Sequence, residues 1–209
     1  MRVMFLISLL LFSSSSFAVY NYKTYPWTKG GYELVRYSKM NKHSIVRNAR
    51  AVYPEYKRYQ IVLRPLFDKY KVPPEVLTLA AIESGFKDSI KSHAGAKGLW
   101  QLMPKTARSL GLKVDVKNGI DERTDVLKSS DAAIRYIKWL AEDKFGGDYE
   151  TAIIAYNSGI GNTTKSVIRA KSSNAWALIE GAYVPRESSL HLMKFLTYLS
   201  VFNYLDNKG

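Results

Sequence analysis

The sequence predicts an all-α domain with at most a minimal β-hairpin. Apolar residues recur at helical spacing in successive segments, and prolines, glycines and aspartates stand where those helices should begin and end. No stretch alternates apolar and polar residues for long enough to make a convincing strand. At 209 residues and 46% apolar composition, the chain can bury one substantial core.

The first eighteen residues, MRVMFLISLLLFSSSSFA, place Arg2 before an apolar run from Val3 to Phe12 and end on Ser16-Phe17-Ala18. This pattern reads as a cleaved signal peptide, residues 1–18, with an apolar run too short for a stable membrane anchor. No cysteine follows to carry a lipid, and no later run is apolar for long enough to span a bilayer. Residues 19–48 are rich in Tyr, Lys and Arg and read as a basic arm leading into a helix. Residues 49–209 read as one domain. In it, Val52, Tyr56, Ile61, Leu63 and Phe67 predict one or two helices up to about Tyr70, with Pro54 marking a start and Pro65 a kink.

Pro73-Pro74 then opens a helix that Gly85 should stop. Within VLTLAAIE, a turn of 100° per residue sets Glu83 between Leu79 and Val76, inside the apolar arc. Its carboxyl group should therefore face the interior or a cleft wall. Ala94-Gly95-Ala96 and Gly98 make residues 86–99 a loop suited to close approach, with a possible hairpin near 94–102. Pro104 opens a helix that Gly111 ends, and residues 112–124 look irregular. A long helix is expected from Val126 to Phe145, stopped by Gly146-Gly147, after which Asp148 caps TAIIAYN. Shorter helices follow near 162–171 and 175–180, and the last runs from Pro185 to about Leu205.

The absence of cysteine excludes disulfides, thiol nucleophiles and thiolate metal sites. His43, His93 and His191 are scattered without metal spacing, so no metal or cofactor is expected. A formal charge of +13 favours an anionic polymer or surface, although a solvated basic face explains it equally. With a signal peptide ahead of it, such a chain should meet cell wall or lipid headgroups, and nucleic acid is not expected as a partner.

A carboxyl group held among apolar side chains favours its protonated form, the property a general acid needs. Cleavage of a glycosidic bond is a common reaction that asks for one. A buried glutamate paired with a Lys or Arg is the structural alternative.

The motifs around Glu83 carry more. ESGF (83–86), then SHAGAKGLWQLMP (92–104) and AYNSG (155–159), resemble the signature of the lytic transglycosylase (SLT) family, whose fold is related to goose-type lysozyme. The likeness extends from about Tyr53 to Phe202 and is greatest to the D-type membrane-bound branch. It implies a lysozyme-like (SLT) α-helical fold, and a monomer that works on peptidoglycan glycan strands in the periplasm or after secretion. By position it makes Glu83 the catalytic acid and base. Ser92 would bind substrate, Gln101 and Met103 would line the cleft, Tyr156 and Asn157 would reach in, and Glu187 would contact the sugar. Met103 as core filler, Tyr156 as packed aromatic and Glu187 as surface charge are the structural alternatives.

The implied reaction breaks the β-1,4 bond from N-acetylmuramic acid to N-acetylglucosamine and closes a 1,6-anhydro ring. A hydrolysing muramidase and a wall-binding protein that keeps the fold are the rival readings. Goose-type lysozymes carry an aspartate where Met103 stands, which favours the lytic outcome, while Asp88 keeps hydrolysis open. Three departures from the family stand out. Trp100 replaces a methionine and should stack on a sugar or fill core. Lys87-Asp88 replaces Asn-Pro. His191 replaces a tyrosine four residues after Glu187, on the same helix face, where a hydrogen bond between the two is expected.

Overall fold

A computed structural model describes residues 25–208; the segment read as a signal peptide lies outside them. The chain folds into eight α-helices among the described residues, with one two-stranded antiparallel ribbon.

Helix α1, Tyr32–Tyr70, has 39 residues and extends about 58 Å at the usual rise. Its buried face carries Leu34, Ile45, Ala49, Tyr56, Tyr59, Leu63 and Phe67. The helix runs through both Pro54 and Pro65, so neither proline starts or ends it. Both lie on the exposed side. Burial of the opposite face outweighs the lost backbone bonds. Lys71 in left-handed conformation ends α1, and Val72 N–H donates to Phe67 O at 3.1 Å.

A 3-10 turn, Pro74–Leu77, leads into α2, Thr78–Ser84, and Gly85 caps it with φ 60°. Helix α3 is Pro104–Ser109. The ribbon pairs β1, Val114–Asp115, with β2, Ile120–Asp121. It therefore falls in the stretch expected to be irregular, because Asp115 closes the turn by accepting from the Asn118 side chain at 2.6 Å. At 94–102 there are only the isolated bridges Lys91 to Lys97 and Lys97 to Leu102.

Helix α4, Val126–Lys138, continues as a π-helical turn over Trp139–Lys144. Asp148 caps α5, Tyr149–Ser158, by accepting from Thr151 N–H at 2.9 Å. Helices α6, Ile160–Ala170, and α7, Ala175–Glu180, precede α8, Arg186–Asp206. Ala152, Ile153, Ile154 and Ala155 of α5 are fully buried, so α5 is the central helix, wrapped by α4, α6, α7 and α8. Helices α1 and α8 join through Tyr56 and Phe202, stacked 4.2 Å apart.

The segment before α1 is docked. Tyr25 and Trp27 join an aromatic cluster with Tyr149 and Phe195. Glu150, 4% exposed, accepts from Thr28 N–H at 2.6 Å, Thr28 Oγ1 at 3.0 Å and Trp176 Nε1 at 2.7 Å. Desolvation raises its pKa despite those donors. Glu150→Ala strands the Thr28 amide and removes the acceptor shared by the other two, so chemical denaturation should show a loss of about 3 kcal/mol. An unchanged midpoint would mean the segment contributes nothing to stability.

Candidate active site

Glu83 occupies the last turn of α2, with 18% of its side chain exposed. Gly85 and Phe86 both adopt left-handed φ, 60° and 62°, and reverse the chain there. Phe86 consequently packs on Tyr59, 5.4 Å away and nearly parallel. This anchor fixes the end of α2.

Three basic or hydroxyl groups surround the carboxyl. His191 Nε2 lies 2.9 Å from Glu83 Oε1. Lys194, one turn further along α8, donates to Ile82 O at 3.0 Å; burial lowers its pKa and the Glu83 charge opposes that shift. Tyr156 of α5 donates its hydroxyl to Trp100 O at 2.6 Å. Its pKa stands well above the ordinary tyrosine value, first through desolvation and then through the Glu83 charge. Tyr136 lies 6.0 Å from Tyr156 and 6.0 Å from the exposed Trp139, forming a row of rings that leads outward.

The loop 90–103 is tied down from several elements. Ser84 Oγ donates to Leu99 O at 2.7 Å. Arg123, only 2% exposed, donates through Nη1 to Gly95 O at 2.7 Å and Leu102 O at 3.0 Å. Its Nε and Nη2 grip both oxygens of Asp121 at 2.8 and 2.9 Å. Gly98, at φ 84°, is required here, since a Cβ would lie 1.9 Å from Arg123 O. Sequence reading missed Arg123; the only local signal was its spacing of two from Asp121.

Of the residues expected to contact substrate, Ser92 accepts from Ala96 N–H at 3.0 Å. Gln101, at φ 48°, donates its amide to Gly98 O at 2.9 Å and Ile90 O at 3.2 Å. These bonds shape the loop itself. Met103 is 43% exposed just before α3, so it is no core filler. Asn157 accepts from Ser188 Oγ at 2.8 Å, beside Glu187, which is exposed in the first turn of α8. The structure thus pairs Glu83 with His191, sets Tyr156 near enough for the Glu83 charge to act on it, joins this group to the Ser92–Met103 loop through Leu99 O and Trp100 O, and sets Asn157 and Glu187 at the α5–α8 junction.

Trp100 is fully buried and donates Nε1 to Ser130 Oγ at 2.8 Å, so of the two roles open to it the core one holds. One expectation needs correction. The hydrogen bond of His191 goes to Glu83 on α2, not to Glu187 one turn earlier, whose side chain is exposed to solvent. A groove of about 1070 Å³ lies against Arg186, Ser189, Leu190 and Met193 on a different face of α8 and does not contain Glu83. Among the described residues no group of three His, Asp or Glu could hold a metal ion.

The profile of the transglycosylase SLT domain matches residues 66–179, more than half of the chain. The chain belongs to the transglycosylase SLT domain family. The match takes in α2, the tied loop, α4 and α5, and so contains Glu83, Gln101 and Tyr156. Membrane-bound lytic murein transglycosylase D of Escherichia coli is 36% identical over 132 residues, covering 61% of this chain and 28% of that protein. The 70 kDa soluble lytic transglycosylase of Escherichia coli superposes with a TM-score of 0.56 at 22% identity, over 68% of this chain and 24% of that one. The lytic transglycosylase Slt of Pseudomonas aeruginosa superposes equally well, at 0.56 and 20% identity. These likenesses establish the SLT, lysozyme-like fold. The chain spans about a quarter of the length of each of these relatives.

The Arg123 clamp makes the site acid-sensitive in a defined window. Hydrogen bonding from Arg123 holds the Asp121 carboxyl at about 2, below its usual 3.8. A depressed carboxyl adds stability above its unfolded pKa and loses it as pH falls through the folded one, here about 2 kcal/mol. Asp121→Asn should therefore be less stable than the parent above pH about 5, with the gap narrowing toward pH about 2 in urea unfolding. A gap independent of pH would contradict the pairing.

Proposed function

We propose that the protein is a peptidoglycan lytic transglycosylase that cleaves the β-1,4 bond from N-acetylmuramic acid to N-acetylglucosamine. The observation that carries this reading is the setting of Glu83: a mostly buried carboxyl group at the end of α2, bonded to an imidazole and, among the described residues, to no second carboxyl group. Family membership supports it. So does the exposed thioether of Met103 just before α3, which has no basic oxygen to activate a water.

In the reaction, Glu83 gives its proton to the glycosidic oxygen as the bond to the anomeric carbon breaks, and the 2-acetamido oxygen closes on that carbon. The 6-hydroxyl of the same muramic acid then attacks, the acetamido bond opens, and Glu83 takes the hydroxyl proton. The carboxyl group ends as it began, and the product is a 1,6-anhydro ring. Two-carboxylate hydrolysis would need a partner about 5–9.5 Å away. Ser92, Gln101 and Met103 contact substrate from the loop, Asn157 and Glu187 from the helix junction, and Tyr156 stands beside the acid. Residues 1–18 direct export, and the enzyme works in the periplasm or outside the cell without metal or cofactor. No helix among the described residues is long and apolar enough to cross a membrane.

Glu83→Gln keeps the shape and removes the proton, so sacculus clearing should fall by about a thousandfold while the circular dichroism spectrum stays unchanged. Clearing near the parent rate would sink the reading. Mass spectrometry of the parent digest should find 1,6-anhydromuramic ends; a majority of reducing ends, heavier by one water, would make the protein a muramidase instead.

The exposed flank of α1 adds weak attraction to the anionic wall through Lys39, Lys42, Arg47 and Arg50. Reversing these four to Glu should abolish the salt-dependent part of sacculus binding and leave turnover of soluble glycans intact. Screening over about 8 Å at physiological salt makes that attraction steeply salt-dependent. Binding indifferent to both salt and reversal would reduce the charge to a solvated face.

A further inference from the structure

The chemistry proposed for Glu83 asks one carboxyl group to give a proton and then take one at the same place. A free carboxyl group offers two equivalent oxygens for that. Here they are not equivalent, since Oε1 lies 2.9 Å from His191 Nε2. The hydrogen bonds of the other nearby donors go elsewhere, that of Lys194 Nζ to Ile82 O and that of the Tyr156 hydroxyl to Trp100 O. Glu187, the acid one turn before His191, is exposed.

The other imidazole nitrogen decides what His191 can do. Nδ1 is buried and has no hydrogen-bond partner among the described residues. A buried N–H without an acceptor is costlier and rarer than a buried acceptor without a donor. The ring therefore keeps Nδ1 bare and carries its proton on Nε2. A second N–H at Nδ1 would find no acceptor there.

We infer that His191 is a positioning residue: as a neutral imidazole it donates Nε2–H to Glu83 Oε1 throughout the cycle, so that Oε2 alone gives and takes the proton. Oε1 accepts that bond whether the carboxyl group is charged or protonated, because a carboxylic acid retains a carbonyl lone pair there. In the first step the Oε2–H bond breaks as the leaving oxygen gains its proton. In the second, Oε2 regains a proton from the 6-hydroxyl. His191 neither gains nor loses one. The family pattern has a tyrosine at this position, and its phenol is likewise a donor.

This inference rests on Glu83 being the acid and base, and it is tested apart from that reading. Nitrogen-15 NMR of the folded parent should show His191 with its proton on Nε2 and Nδ1 bare at the pH of activity; a proton on Nδ1, alone or in an imidazolium, overturns it. His191→Phe should lower kcat by about ten- to a hundredfold at unchanged KM, the range for a lost hydrogen bond to a charged group. His191→Gln, whose amide can donate but not titrate, should restore kcat to within about threefold of the parent if donation is the role. If Phe loses nothing, or if Gln fails as badly as Phe, the positioning role is wrong. Should Glu83→Gln remain active, the reading under Proposed function fails, while the NMR result still reports the tautomer.

Discussion

The carbonyl oxygens of the GLWQL segment set the terms for everything around Glu83. Gly98, Leu99, Trp100 and Leu102 are buried, so their carbonyls need partners within the protein, and most come from elsewhere in the fold. Ser84 supplies Leu99, Tyr156 supplies Trp100, and Arg123 supplies Leu102 and Gly95. Those donors come from α2, α5 and the turn before α4. The loop is therefore a joint between three separated parts of the chain, and Glu83 sits beside the donor from α2. Arg123 can be buried for this purpose because Asp121 neutralises it with a bidentate pair, whereas an unpaired guanidinium would cost more than the carbonyl bonds return.

What the sequence discloses follows from how far apart the deciding groups lie. The starts at Pro104, Asp148 and Pro185 and the stop at Gly85 were legible, since caps depend on one to four neighbouring residues. So was the inward aim of Glu83, a matter of helix geometry alone. The continuity of α1 was not, because it depends on aromatic packing against α8 that offsets two prolines on the solvent side. The glycines at 95 and 98 did disclose a loop made for close approach, but not its partner: Gly98 meets Arg123, far outside any local window.

The site residues divide along the same line. Motif resemblance named Ser92, Gln101 and Tyr156, yet their polar groups in this structure serve the loop as much as any ligand. Substituting one of them would therefore disturb the loop that presents the others. Trp100 illustrates the converse. Its Nε1 finds Ser130 thirty residues later, so whether the ring faced core or cleft was undetermined by its neighbours. The partner of His191 lies 108 residues away, beyond the reach of any reading of i and i+4 positions on α8.

The resulting site is stiff on one side and open on the other. Glu83 is backed by α8 and a loop with its backbone bonds satisfied, while Met103, Asn157 and Glu187 stand toward solvent. On the proposed reading this asymmetry suits a polymeric substrate. Proton transfer demands a carboxyl group held to within a fraction of an ångström, and a closed cage of contacts around the glycan would hinder a strand from entering along its length. Met103 fits the open side for a further reason: a flexible thioether accommodates different sugar faces without fixing any polar atom. Rigidity at the acid and adaptability at the rim are then two results of one arrangement, in which buried bonds are concentrated behind Glu83 and nearly absent in front of it.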